Sequence, residues 1–319
     1  MSTFLRARSG VAACAIAWAL IACGGGGSSD SGTGAVSSAA PVANLPADAG
    51  APALTGNIPT DGLNWINYRR SQVGMPMLTH SSIIDKAAQA HSDYQKANNT
   101  VSHDETAGKP GFTGASLLDR LTGAGYNFGS SAYAYGEVIS ATTNSSGFYM
   151  SEELITAIYH RFVIFEPKFK EIGTGAATTS AGYTYFTSDF ASANGYGPGV
   201  GRGVIVTWPV NNQTGVTTNF FSDYESPDPV AGVNEVGYPV SVHADITATL
   251  VVNGFTMRPH GGADLSVKLL KHASDTDTPL SAAAIVPLTV LKGATIYDVT
   301  FSGTADGVDV SRSWSFTTK

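Results

Sequence analysis

The chain has 319 residues, of which 43% are hydrophobic and only 13% are charged. A usual charged share is about 25%, so the composition excludes a disordered acidic protein and favours an exported, β-rich one. The formal net charge of −7 and the lack of a long basic run argue against a nucleic-acid partner, because such proteins neutralise phosphates with a basic surface. The length suggests two folded units.

The first 22 residues have the pattern of an export signal. Arg6 and Arg8 precede an apolar run over residues 11–22, which is shorter than the about 20 residues needed to cross a bilayer. The run ends in Leu20-Ile21-Ala22-Cys23, which resembles the lipobox of bacterial lipoproteins. This resemblance implies lipid attachment at Cys23 and a place in the bacterial cell envelope. Gly24, where retained lipoproteins often carry aspartate, favours the outer membrane.

Residues 23–59 are predicted to form a disordered, lipid-anchored linker. They consist mainly of Gly, Ser, Ala and Pro, and such a segment buries too little apolar surface to offset its chain entropy. Cleavage before Cys23 would remove Cys14, so the mature chain would have no free thiol and no disulfide framework.

The first folded unit, residues 60–198, is predicted to be α+β because helical patterns precede strand patterns. Helical spacing marks four helices, which start near residue 61, at 81 or 82, at 117 and at 151. The last of them is predicted to run to residue 161, with Glu152 and Glu153 in its first turn. Alternating strands are predicted around residues 172–175 and 183–187. The glycine-rich stretch 195–201 lacks the lysine of a phosphate loop and is interpreted as a linker.

Eight short motifs occur in order between residues 60 and 195. They are Asn67 with Arg70 and Gly74, Leu78, Ala87-x-x-Ala90-His91-Ser92, Ser102-His103, Arg120 with Gly125-Tyr126, Gly136-Glu137, His160-Arg161 and Ile172-Gly173-Thr174-Gly175. Together they resemble the bacterial form of the CAP superfamily, the cysteine-rich secretory protein, antigen 5 and pathogenesis-related 1 group, also called SCP domains. The resemblance implies a three-layer α-β-α sandwich with an open cleft.

The cleft of that family usually holds two histidines and two glutamates. The resemblance matches His103 and His160 to the histidines and Glu137 to the first glutamate. Ala157 stands near the place of the second glutamate, and Glu153 can replace it only if its helix is rotated or shifted. Imidazole and carboxylate groups suit a weakly bound Zn²⁺ or another divalent metal. The alternative is a hydrogen-bonded polar cluster that ties the helices to the sheet.

The remaining residues of this unit provide no firm catalytic group. His91 lies on the apolar face of its helix and is expected to be a hydrogen-bonded core residue, whereas His80 is expected at the surface. Ser102 and His103 are adjacent on an extended chain and point to opposite sides, so they do not imply a Ser-His dyad. No G-x-S-x-G or H-E-x-x-H motif occurs.

Residues 204–319 are predicted to form an all-β sandwich of about seven strands. The β-rich runs are 204–206, 240–242, 246–252, 266–269, 296–301 and 313–317. The segments 294–299 and 314–318 resemble the closing hairpin of bacterial immunoglobulin-like domains. Trp314 and Phe316 alternate on one face and are predicted to pack in the core. His243, His260 and His272 show no metal-ligand spacing.

These observations predict a surface-anchored lipoprotein whose CAP domain binds a small apolar ligand, a glycan or a protein in a His/Glu cleft, with a divalent metal as an optional component. The β-sandwich is expected to act as a spacer or a second contact. One alternative is a hydrolase that acts on peptides or cell-wall material through His103, Glu137 and His160. The other is a purely structural envelope protein.

Overall fold

The computed structural model describes residues 50–319; the predicted export signal, Cys23 and most of the predicted linker lie outside the described residues. Helix α1 (Ile58–Val73) begins before the predicted boundary at residue 60. The Asn57 side chain accepts a hydrogen bond from the Thr60 amide and caps the helix, and Asp61 accepts hydrogen bonds from both the amide and the hydroxyl of Thr55. The folded part therefore includes the end of the predicted linker.

The first unit is a three-layer α-β-α sandwich, as predicted. After α1 come β1 (Thr79–His80), α2 (Ser82–Asn98), α3 (Leu117–Gly123), β2 (Ala134–Thr142), α4 (Gly147–Thr156), α5 (Ile158–Ile164), β3 (Glu171–Thr178) and β4 (Thr184–Ser192). The sheet has the order β1-β3-β4-β2, with β2 at one edge. Helices α2 and α3 cover one face, and α1, α4 and α5 cover the other. None of the described helices is long and apolar enough to cross a bilayer.

Two glycines of the Ile172-Gly173-Thr174-Gly175 motif let α2 rest directly on β3. A Cβ atom on Gly173 would lie 2.3 Å from the Asp85 amide nitrogen, and one on Gly175 would lie 2.2 Å from the Gln89 amide nitrogen. The Asp85 carboxylate also accepts a hydrogen bond of 2.8 Å from the Thr174 amide. A side chain at either glycine would push the helix away from the sheet.

The helix predicted over residues 151–161 is two helices, and this part of the prediction was wrong. Helix α4 begins at Gly147, where Ser146 accepts a hydrogen bond from the Tyr149 amide. It ends at Ala157, whose extended backbone (ψ 122°) separates it from α5. Glu152 and Glu153 therefore lie in the second half of α4 rather than in a first turn.

The C-terminal region is all-β, as predicted, and contains ten strands rather than about seven. They are β5 (Ile205–Trp208), β6 (Gln213–Val216), β7 (Asn219–Phe221), β8 (Glu235–Gly237), β9 (Val240–Ala244), β10 (Leu250–Pro259), β11 (Val267–Lys271), β12 (Ala282–Pro287), β13 (Ile296–Ala305) and β14 (Val308–Thr318). They form two four-stranded sheets, β10-β13-β14-β6 and β11-β12-β9-β5, and a β7-β8 pair. Trp314 and Phe316 are buried, which confirms their predicted packing. The immunoglobulin-like identity stays a prediction.

Helix α5 joins the two regions through a common apolar core. Ile158 and Phe162 are buried in one cluster with C-terminal residues. These partners are Phe220, Val230, Val236, Leu270, Ala282, Ala284 and Val286. The ring of Phe165, at the end of α5, lies 5.6 Å from that of Trp208. The two regions are therefore packed against each other and are not independent modules.

Hydrogen bonds and a cation–π contact also stabilise the interface between the two regions. Arg161 is fully buried and donates a hydrogen bond of 2.8 Å from Nη1 to the Pro239 carbonyl, and its guanidinium lies over the ring of Tyr238. The stretch predicted to be a linker is also fixed, because the Asp245 carboxylate accepts hydrogen bonds from the amides of Val200 and Gly201.

His243, at this junction, predicts a loss of stability in mild acid. Its ring contacts Phe162 and Phe165, and burial, followed by the charges of Arg161 and Arg70, lowers the pKa of His243 from 6.5 to about 3. The unfolded chain therefore binds a proton that the folded chain excludes, so stability falls as the pH drops below 6.5. We expect this residue to cost about 2 kcal/mol of unfolding free energy at pH 5. Urea titrations at pH 7 and pH 5 should show this loss, and a His243→Gln variant should lack it.

Candidate functional site

His103 and Glu137 are in direct contact, as the motif match implied. His103 Nδ1 lies 2.7 Å from Glu137 Oε1, and the other oxygen, Oε2, accepts a 2.7 Å hydrogen bond from Arg120 Nη2. Arg120 also donates from Nη1 to the His103 carbonyl at 2.7 Å. The Glu137 side chain is buried, whereas that of His103 is 17% exposed. Both carboxylate oxygens of Glu137 are therefore already bound by protein groups.

A second ion pair lies beside the first. His91 is buried, with Nδ1 2.9 Å from Glu105 Oε1 and Nε2 2.7 Å from the Ser102 carbonyl. Both ring nitrogens of His91 therefore lie within hydrogen-bond distance of an oxygen atom. Glu105 also accepts a 2.6 Å hydrogen bond from the Thr113 amide. His91 is a hydrogen-bonded core residue, as predicted.

The charges of this polar cluster, which consists of His91, His103, Glu105, Arg120, Glu137 and Asp189, balance one another. Burial alone would raise the pKa of Glu137, but Arg120 and the imidazoles outweigh it and hold that pKa well below the usual range. Asp189 stands opposite Glu137 on β4, and burial together with the negative charge of Glu137 raises the pKa of Asp189 well above its usual value. The protonated form of Asp189 is therefore favoured more than in water, and that form does not repel Glu137.

His160 lies in the opposite layer from Glu137. A Cβ atom on Gly136 would lie 3.0 Å from Cγ1 of Val163 in α5, so residue 136 faces the layer that contains α5. The next side chain along the strand, Glu137, points to the other face. The sheet thus separates Glu137 from the helix that carries His160. His103, Glu137 and His160 therefore do not line one cleft, and the prediction is corrected on this point.

The residues present do not fit the expected metal site. Within residues 50–319 there is no group of three or more His, Cys, Asp or Glu side chains that can hold a metal ion. Glu153 does not complete such a group either, because it lies on α4 and lines a cavity that Glu137 does not line. Divalent metal binding therefore stays a prediction without a defined site.

His160 is instead bound to Glu225, a residue that the sequence analysis missed. The Glu225 carboxylate accepts hydrogen bonds from the amides of Ile158 (2.8 Å), Tyr159 (2.6 Å) and His160 (2.9 Å). Its Oε1 also lies 2.9 Å from His160 Nδ1. Glu225 is buried in a loop of the C-terminal region, and no motif in the surrounding sequence marks it. This carboxylate caps α5 from outside the CAP motifs.

A cavity of about 1170 Å³ lies between the first unit and the C-terminal region. Its volume exceeds the roughly 300–1,000 Å³ of ordinary ligand pockets. The first unit contributes Tyr149, Glu153, His160 and Tyr183, among others, and the C-terminal region contributes Thr214, Phe221 and Tyr224. Because both regions supply the walls, the cavity exists only in the packed arrangement.

The cavity lining combines aromatic rings with a few polar groups. Glu153 accepts a hydrogen bond from Tyr149, but the stronger effect of desolvation raises the pKa of Glu153. Glu152 also lines the cavity, and its charge is compensated by Arg69 at 2.8 Å. This lining suits a ligand that has both apolar and hydrogen-bonding groups.

The first unit combines a three-layer α-β-α sandwich with the Asn67, Arg120, Gly136-Glu137 and His160-Arg161 motifs. Residues 63–190 match the family model described as "CAP: Cysteine-rich secretory protein family". This part of the chain is therefore a CAP domain. No curated protein matches the chain.

Two solved structures are similar to part of the chain. An extracellular protein containing a SCP domain from Bacillus anthracis str. Ames is 26% identical, with a TM-score of 0.35; the match covers 42% of this chain and 39% of that one. An outer surface protein from Borrelia burgdorferi is 13% identical, with a TM-score of 0.36; the match covers 41% of this chain and 90% of that one. The chain thus spans about two fifths of the first of these proteins.

Proposed function

We propose that the protein is a ligand-binding protein of the bacterial surface, exported, anchored by lipid at Cys23 and active through the cavity between its two regions. The observation that carries this proposal is the cavity of about 1170 Å³, which has aromatic and polar walls from both regions. The candidate ligands of this cavity are a small apolar molecule, a glycan and a protein segment.

The contacts of the polar cluster favour binding over hydrolysis. The predicted hydrolase would need His103, Glu137 and His160 to act on one substrate, but the sheet separates Glu137 from the helix that carries His160, and of the three only His160 lines the cavity. Both oxygens of Glu137 are also bound, by His103 and Arg120. The polar cluster is best explained as part of the architecture, and the cavity as the place where a ligand binds.

A substitution at the cavity wall tests this proposal. Thr214 on β6 is exposed and lines the cavity, so Thr214→Trp should fill part of it and weaken binding about tenfold or more. The matched control is Thr256→Trp, because Thr256 is also exposed and lies in β10, at the opposite edge of the same sheet. The probes are a bacterial lipid extract, soluble cell-wall glycan fragments and a random peptide library, with retained compounds identified by mass spectrometry.

The protein for this experiment is the full chain with Cys23→Ser. Its recovery in the soluble fraction, while the parent chain fractionates with membranes, is the expected sign of the lipid anchor. Retention of a compound that Thr214→Trp loses and Thr256→Trp keeps supports binding in the cavity. If no probe is retained, the binding proposal is wrong and the structural alternative is preferred.

A further inference from the structure

Two sheet edges, one from each region, meet at the cavity. Strand β2 is the last strand of the CAP sheet, and β6 is the last strand of the sheet β10-β13-β14-β6. Both strands contribute to the cavity wall. An edge strand presents backbone N–H and C=O groups that have no partner in its own sheet.

The residues that line the cavity show that the edges, rather than the faces, of these strands border it. From β2 the lining residues are the consecutive 139–142, and from β6 and the following residue they are the consecutive 213–217. A strand that turns one face to a cavity contributes every second residue. A consecutive run is expected when the backbone edge itself faces the open space.

The backbone groups along the edge of β2 have fewer hydrogen-bond partners than those along the edge of β6. Within residues 50–319, β2 pairs only with β4, so alternate residues of its cavity segment direct their backbone groups away from the sheet. From outside this pairing, the Tyr183 hydroxyl donates a hydrogen bond to the Ala141 carbonyl, and the Asn144 amide donates one to the Thr142 side chain rather than to its backbone. On β6, the Gln213 amide bonds the Val210 carbonyl and the Val216 carbonyl accepts from the Lys319 amide.

We propose that the cavity binds an extended polypeptide segment, which pairs with the edge of β2 at residues 139–142 and continues the CAP sheet. This inference rests on the proposed function and names the class of ligand. The backbone groups that point outward from one strand edge recur every second residue, about every 6.6–6.8 Å. An extended peptide has the same spacing, so it can pair with this edge along several residues. A lipid tail in the same place would leave the polar edge groups without partners, at a cost in free energy.

The side chains around the edge favour a particular peptide composition. Tyr149, Tyr183 and Tyr224 offer aromatic surfaces to apolar side chains, and Glu153 is the cavity carboxylate without a cationic partner in the described part of the chain. Arg69, by contrast, is paired with Glu152. The formal net charge of −7 also attracts basic segments. The bound segment is therefore an alternating apolar and polar strand with at least one lysine or arginine.

The test begins with selection from a phage-displayed library of random decapeptides on the full chain with Cys23→Ser. The enriched peptides should alternate apolar and polar residues and should include a basic one. Thr214→Trp should abolish their capture, and Thr256→Trp should not.

Backbone N-methylation of one enriched synthetic peptide then tests strand pairing. One set of alternate residues directs its N–H groups to β2 and the other directs them away. N-methylation of the first set should weaken binding about tenfold or more, and N-methylation of the second should leave it within about twofold, as measured by calorimetry.

The outcomes separate this inference from the proposed function. Equal effects of the two N-methylated sets would show that the backbone edge is not used and would overturn the inference. Retention of a lipid or a glycan fragment in the cavity, with no enriched peptide, would also overturn it but would leave the proposed function intact. If the protein captures none of the three probes, both are wrong.

Discussion

Replacement of Arg120 by methionine will lower the free energy of unfolding by about 3–5 kcal/mol. The guanidinium is fully buried and lies 2.7 Å from Glu137 Oε2 and 4.0 Å from Glu105 Oε1. Methionine fills a similar volume but leaves two buried carboxylates without this compensating charge. Removal of one partner of a buried ion pair is costly because the remaining charge stays desolvated.

Urea denaturation of the Arg120→Met and parent chains measures this effect. The control is Arg258→Met, since Arg258 is exposed on β10, and its unfolding free energy should change by no more than about 0.5 kcal/mol. A similar small change in Arg120→Met would mean that the polar cluster contributes little to stability and would reopen its interpretation as a ligand site.

Replacement of Glu225 by alanine will destabilise the protein by about 3 kcal/mol. Three backbone amides at the start of α5 and the His160 ring lose their acceptor, and Glu225 is only 3% exposed. Glu225→Gln keeps one carbonyl oxygen as an acceptor, so it should cost about half as much. Glu235→Ala, an exposed glutamate in β8, is the control and should be close to neutral.

A local measurement distinguishes loss of the cap from general destabilisation. In Glu225→Ala the amide protons of Ile158, Tyr159 and His160 should exchange with solvent much faster. The exchange rates of the α2 amides should rise only by the factor that follows from the loss of global unfolding free energy. If the exchange of these amides is unchanged relative to α2, Glu225 does not hold α5 and the assigned role is wrong.

The sequence predicted those parts of the fold that depend on local patterns. Helix α2 has regular apolar spacing and begins and ends where expected. The Ile172-Gly173-Thr174-Gly175 segment was predicted both as a strand and as a family motif, but the physical reason for its glycines, the close approach of α2, needed the structure. Strand β12 was missed because all its residues are buried, so it shows no alternation of polar and apolar residues.

The candidate site was harder to predict because its geometry depends on distant partners. The break at Ala157 separates α5 from α4, and the start of α5 is bound by Glu225, which is far away in the sequence. Alternation along β2 implies that Gly136 and Glu137 face opposite layers, but the sequence does not tell which layer contains His160. The cavity requires the packing of two regions, which no motif in either region specifies.

The common core at α5 determines when the chain can fold. Synthesis proceeds from the N-terminus, so Ile158 and Phe162 leave the ribosome well before Leu270 and Val286, which cover them in the finished protein. Until those strands have been made, the apolar side of α5 has nothing to pack against, and contacts between distant parts of a chain form slowly. The apolar side of α5 is therefore covered only once the C-terminal strands are present, so a chain that ended after the CAP domain would leave Ile158 and Phe162 without these partners.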